Sequence, residues 1–507
     1  MTRFTFRPSR LEALTLLVIL AIGVTRLPEP FYGNAALFTI FARALDRGAV
    51  LYVDIWDNKQ PGIFLFYWLA GRTFGFTEVG LHSFELLFQL LFAAVLMRFV
   101  QRNVPDRAVA CLTGLLTVGA FYLTAHTPHL GQVEGLVGLP ILVSLALAGR
   151  PAESPRDRRL MMLGAGVAAG VVALFKLLLS PIPVAIWLVA WWIRRSDEDP
   201  SPVALLRDWV LPAAAGTGLI LGATALWAGL HGGLSELLWA SFEYPLLASA
   251  EFSRAPWSRL QLSELWFVEH FTVALALAAC SWVGWRGVRN EVTALQAWAW
   301  LVVGIAVIVA QKLSFWPYQF LLLVPPAGLL AARGLDGLIR RVAWIREWPR
   351  VVVALLAVAA MMPGLRATGF RVRSALEVRD HPLPLIAYQR RISPAYDRYS
   401  RSLAFLDQAS ALSGPIYVFG DPLVLWLGHR EQAGAINGWS WGSFVQAQWD
   451  DLPGQIEASR PAYVLVSRSN DQLVRRRSPA TMALLRDQYM VLESSTDGTW
   501  YQRDSPE

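Results

Sequence analysis

Apolar runs of about 20 residues, long enough to cross a bilayer core, recur along most of the chain. They fall at about 9–28, 79–101, 107–126, 131–149, 159–179, 181–193, 209–230, 263–285, 294–311, 315–332 and 350–365. These eleven runs predict an α-helical polytopic membrane protein. The fifth and sixth are divided at Pro181 and Pro183, and the sixth is short. The stretch 61–75 is apolar but also short, and reads as a re-entrant or interfacial helix. Two connections are long, about 29–78 and about 231–262. In the first, Leu37, Ile40, Phe41 and Leu45 recur at helical spacing, which predicts an amphipathic helix over 35–47 lying on the membrane.

Beyond Pro363 the pattern changes. Residues 366–507 are richer in charge and turn residues. Ile416–Phe419 reads as a short strand ending at Gly420-Asp421-Pro422, where a helix can start. A second strand is expected over 462–466 after a helix near 450–459, then a helix over 481–487 and a strand pair at 489–493 and 500–502. The expected organisation is a multi-spanning domain over 1–365 and an extracytoplasmic α/β domain over 366–507.

Composition agrees with a membrane frame: 55% of residues are hydrophobic and 16% charged, against about 25% charged in soluble domains. The net charge of +7 does not point to nucleic acid, because the arginines sit in short connections between apolar runs. Arg98, Arg102 and Arg107 share one such connection, Arg150, Arg156, Arg158 and Arg159 the next on that side. Intervening short connections hold almost no cation, Lys312 excepted. The positive-inside rule then puts the N-terminus in the cytoplasm and both long connections and the C-terminal domain outside the cytoplasmic membrane. Met1–Arg10, with three arginines, reads as the flank of an uncleaved first helix. Cys111 and Cys280 lie inside apolar runs and suggest neither a disulfide nor a zinc site.

Four polar groups stand out, since ionisable residues at membrane depth are costly. The first is Leu51–Pro61, where Asp54, Asp57 and Lys59 lie with Tyr52 and Trp56. Its carboxylates suit a general base or a divalent metal site, and Lys59 suits a phosphate. The plainer reading is a solvated loop anchored at the interface by Trp56. The second is Glu134, near His126 and His129, whose spacing matches no recognised metal motif. The third is Lys176, ahead of Pro181 and Pro183, either phosphate-facing or snorkelling to the surface. The fourth is Lys312 with Trp316, Pro317 and Tyr318 at the start of the tenth run. Cations for a leaving phosphate beside a carboxylate for a nucleophile suit transfer from a lipid-phosphate donor to a hydroxyl.

At these residues the chain resembles the glycosyltransferase C superfamily, multi-spanning enzymes that use lipid-linked sugars. It resembles in particular bacterial members related to protein O-mannosyltransferases and to the aminoarabinose transferase of lipid A. Tyr52, Asp54, Trp56, Asp57, Lys59 and Pro61 resemble the family's first-loop motif, Lys176 with Pro181 its Lys before a Pro-containing span, and Lys312 with Tyr318 its entry to a late span. The chain departs where the family carries Asp-Glu after the first span: here Asn34 and Ala35 stand in that place, and Asn34 can hydrogen-bond but not act as a base. The resemblance implies an integral membrane glycosyltransferase moving a sugar from a polyprenyl-phosphate donor to a lipid, glycan or protein acceptor, with membrane lipids as its other partners. Asp54, Asp57 and Glu134 are then the catalytic candidates. Asn34, Tyr52, Lys59, Lys176, Lys312 and Tyr318 are the substrate-binding ones, with a divalent metal left open. A non-catalytic glycan-lipid binder or flippase-like protein is the alternative that Asn34 favours. An unrelated transporter fits less well, because the runs do not form two equivalent halves.

Overall fold

The computed structural model describes residues 9–195, 201–282, 291–311, 314–439 and 444–504. Among them, nine helices are long and apolar enough to cross a membrane, beginning with Glu78–Asn103 and ending with Pro349–Glu377. The chain is a multi-pass membrane protein. Two of the eleven expected runs form shorter helices. The first is the 15-residue Arg10–Val24, with Pro28 and Pro30 shortly beyond its end. The other is Val133–Gly149, which begins at the polar Gln132–Glu134. The run at 350–365 extends instead, continuing through Pro363 to Glu377.

The chain divides into two compact units. One comprises 1–27, 82–223 and 255–373, and holds most of the apolar helices. Lipid offers no hydrophobic drive between helices, so close packing of small residues takes its place. Helices Pro155–Phe175 and Leu211–Leu230 show it: a Cβ on Gly166 would lie 2.1 Å from the Ala213 carbonyl oxygen, and one on Gly216 2.1 Å from that of Leu163. Thr217 Oγ1 donates to the Gly166 carbonyl at 3.0 Å across the same contact. Two breaks in this unit matter for chemistry. Helix Pro155–Phe175 stops at Lys176, whose backbone is extended, before a 3₁₀ turn and helix Pro181–Arg194. Helix Val292–Ala310 stops at Gln311, ahead of the 3₁₀ helix Pro317–Leu323.

The other unit comprises 28–81, 224–254 and 374–507. Its expected amphipathic helix runs Gly33–Asp46, with Phe38 and Phe41 packed on Phe64 of helix Pro61–Phe74 at 5.7 and 5.3 Å between ring centroids. The strands lie close to where alternation put them: β1 (Ile416–Phe419), β2 (Tyr463–Ser467), β3 (Tyr489–Ser494) and β4 (Gly498–Arg503). They form one sheet in the order β1-β2-β4-β3, with β1 and β2 parallel and the other pairs antiparallel. The parallel pair is buried, as helix-covered strands must be, with Ile416, Val418, Leu465 and Trp500 in its core.

The glycine contact sets a stability test. Gly166→Val should lower the thermal midpoint and folded yield in detergent, whereas Gly218→Ala, where a Cβ meets nothing within 4 Å, should leave both unchanged.

Candidate functional site

The polar groups form one centre in each unit. In the unit holding the C-terminal sheet, the centre is the loop Leu51–Pro61. Tyr52 takes a positive φ of 71°, uncommon for a side chain of its size. Its N–H donates to the Ile55 carbonyl at 2.6 Å and its hydroxyl to the Lys59 carbonyl at 2.6 Å, which folds the loop back on itself. Burial, then the nearby Asp57, holds the Tyr52 phenol well above its ordinary range, so it stays protonated. The Asp57 side chain is fully buried. One carboxylate oxygen accepts from Lys59 N at 3.1 Å and Lys59 Nζ at 3.0 Å, the other from Asn437 Nδ2 at 3.3 Å.

Asn437 extends the network. Its Nδ2 also donates to the Trp56 carbonyl at 2.7 Å, and its Oδ1 accepts from Trp439 N at 3.0 Å. Trp439 Nε1 in turn donates to Asn34 Oδ1 at 2.8 Å. An unbroken series of contacts therefore joins Lys59, Asp57, Asn437, Trp439 and Asn34. The Lys59 ammonium lies 5.3 Å from the Phe38 ring centroid and its side chain is 27% exposed, so it reaches solvent from a buried partner. Trp56 does not anchor the loop at an interface: it is buried, with Tyr244, Trp239 and Phe444 rings 5.0, 5.9 and 6.0 Å away. Asp54 is exposed, and its Oδ2 accepts from Val50 N at 2.7 Å within its own turn.

The other unit brings together Glu134 and Lys176, 42 residues apart. Lys176 Nζ lies 2.7 Å from Oε1 of the buried Glu134 and also bonds Gln311 Oε1. Gln319 Nε2 donates to Gln311 Oε1 at 3.1 Å and to Ser314 Oγ at 3.2 Å. The broken helices make this possible, because a side chain leaving an extended residue is not confined to a helix face. Tyr318 precedes Gln319 in the 3₁₀ helix and is half-buried. Lys312 lies outside the described residues. His129 packs on Trp266 with centroids 4.4 Å apart, and burial, then His126, His270 and Arg26, holds its ring down to about 3, hence neutral. Among the described residues no group of three or more His, Cys, Asp or Glu is arranged to hold a metal ion.

Sequence reasoning missed Asn437, Trp439, Gln311 and Gln319. The signals were faint: an Asn-Gly-Trp turn at 437–439, and amides flanking the Lys312 turn. A buried carboxylate is missed differently. Glu78 accepts from Tyr396 Oη at 2.9 Å and Trp426 Nε1 at 2.8 Å, while Tyr396 Oη accepts from Phe31 N at 2.7 Å. Nothing in its sequence surroundings separates it from an ordinary helix start.

Two measurements follow from these geometries. Lys176→Met leaves the Glu134 carboxylate buried without its cation, a loss of about 3–5 kcal/mol; the double variant with Glu134→Gln should regain much of the lost thermal midpoint. Asp421, at the end of β1, has its carboxyl pushed up from 3.8 to about 6 by burial, against the opposing Leu423 N–H and Arg398. A folded-state value above the unfolded one means that the wild type loses stability as pH rises from 3.8 to about 6. Asp421→Asn should therefore melt higher than wild type at pH 7.5, with the gain shrinking through that window and vanishing below it.

Neither a protein-family model nor a curated sequence matches the chain. Solved structures do. ArnT from Cupriavidus metallidurans in the apo state superposes with a TM-score of 0.62 at 16% identity, covering 98% of this chain and 99% of that one. The same protein bound to undecaprenyl phosphate gives 0.63 at 15% identity, over the same shares. The archaeal oligosaccharyltransferase AglB from Archaeoglobus fulgidus, in complex with an inhibitory peptide and a dolichol-phosphate, gives 0.50 at 13% identity, covering 98% and 74%. The chain shares the fold of the ArnT structures over nearly its whole length.

Proposed function

We propose that the protein transfers a sugar from a polyprenyl-phosphate donor to a lipid, glycan or protein hydroxyl on the outer face of the cytoplasmic membrane. The observation that carries this reading is the buried Asp57–Lys59 pair in the loop with the family-like motif, within a chain matching ArnT from end to end. The binding of undecaprenyl phosphate by one structural neighbour and of a peptide with dolichol-phosphate by another supports the donor and acceptor classes.

In this reading the acceptor oxygen bonds to the anomeric carbon while the bond from that carbon to the phosphate oxygen breaks. Polyprenyl phosphate leaves with the electron pair, and the acceptor proton passes to a carboxylate. Asp54 is the base of choice because it is the solvent-facing carboxylate of the loop. Asp57 orients Lys59, and Lys59 neutralises the charge growing on the leaving phosphate. Lys176, held by Glu134, is a second anion-binding candidate to be tested separately, and Lys312 and Tyr318 are tested with it. The binder reading keeps one specific support: Asn34, in the place of the family's acid, is engaged by Trp439.

Transfer from purified undecaprenyl-phosphate sugars into extracted envelope glycolipid tests the assignment. Lys59→Ala should lower kcat/KM about 10²–10³-fold, and Asp54→Asn about 10²–10⁴-fold. Undecaprenyl phosphate binding without turnover in the wild type across the sugars tried would overturn catalysis in favour of binding. Full activity in Asp54→Asn would remove the base from that residue alone.

A further inference from the structure

We propose that the turn Asn437-Gly438-Trp439 of the C-terminal region is a positioning part of the first-loop centre rather than a neighbouring surface. The inference rests on the transfer reading for its activity arm only.

The turn is fastened on one side to the sheet domain. Gln455 Oε1 accepts from Ala435 N at 3.0 Å and Ile436 N at 3.2 Å, and the Tyr417 hydroxyl of β1 donates to the Ile436 carbonyl at 2.9 Å. Gly438 lies so close to β1 that a Cβ there would stand 1.6 Å from the Val418 carbonyl oxygen. On its other side the segment grips the first loop. Trp56 N donates to the Ala435 carbonyl at 2.8 Å, Asn437 holds the Trp56 carbonyl and Asp57, and Trp439 holds Asn34. The Trp439 ring covers the start of helix Gly33–Asp46, where a Cβ on Gly33 would stand 2.4 Å from Trp439 Cζ2.

These contacts divide the work on Asp57. Asn437 donates to one oxygen and Lys59 to the other, so the amide helps to fix where the ammonium stands. A neutral amide does this without competing for the lysine's charge. A carboxylate in its place keeps an acceptor for Trp439 N but sets two anions face to face, with Lys59 and the Tyr52 phenol also against Asp57. Asn437→Asp is therefore nearly isosteric while it places a second carboxylate against Asp57.

Trypsin supplies a readout independent of activity. In the full-length detergent-solubilised protein, cleavage after Lys59 reports release of the loop, and cleavage after Arg475 in the exposed helix Asp471–Arg477 reports general loosening. Asn437→Ala and Asn437→Asp should raise the Lys59-to-Arg475 cleavage ratio about tenfold at pH 8, as expected for losing a hydrogen bond to a charged group. Trp439→Phe, which fills the same space without the indole N–H, should leave Lys59 protected while lowering kcat/KM. An unchanged ratio in both Asn437 variants, or equal acceleration at both sites, overturns the proposal. If the wild type transfers no sugar, the proposed function fails while the cleavage ratio still decides the positioning role.

Discussion

A carboxylate taken wholly out of water must be neutralised and hydrogen-bonded, or it will not stay charged. Asp57 meets that demand with donors from two distant stretches, among them the N–H and ammonium of Lys59 and the amide of Asn437. The rest of its unit can be understood from that requirement. The Tyr52 turn brings Lys59 back over the carboxylate. Trp56, buried against Trp239, Tyr244 and Phe444, ties the loop to the second long connection and to the C-terminal region. Segments distant in sequence thus meet in one centre around the buried charge.

The other unit solves a related problem with different means. Its helices approach closely through glycines such as Gly166 and Gly216, where lipid gives packing little other help. Backbone that leaves the helical form at such a place must be paired by other groups. The breaks at Lys176 and Gln311 are where polar side chains gather: Glu134 on the lysine, Gln319 on Gln311. The polar network thus sits at the helix breaks.

Much of this was legible in the sequence, for definite reasons. Apolar runs announced most of the spans because hydrocarbon leaves the backbone few alternatives. Alternation and turn residues located β1 to β4 within about two residues. Asp57, Lys59, Glu134 and Lys176 stood out because charge in apolar surroundings is conspicuous. What charge does not reveal is its partner. Lys176 and Glu134 each drew attention alone, and nothing in their spacing paired them. Asn437 and Trp439 carry no charge and sit in a turn resembling many others, so only the folded chain shows what they hold. Trp56 was legible as important but not as buried, since an aromatic beside polar residues suits a membrane interface equally well.

The two loop carboxylates show why proximity in sequence is a poor guide to role. Asp54 and Asp57 are three residues apart, yet one faces solvent with a backbone N–H and the other is enclosed with a lysine. An enclosed carboxylate whose oxygens are both engaged must break contacts before it takes a proton from a substrate. A solvent-facing one need not, but it lacks a low-dielectric setting until something covers it. In the proposed transfer reading, this division gives orientation to Asp57 and proton transfer to the residue that an arriving acceptor would itself enclose. Asn34 fits the same logic: it is neutral and engaged by Trp439, so in the proposed reading the charge that a carboxylate at this position would bring comes from the loop.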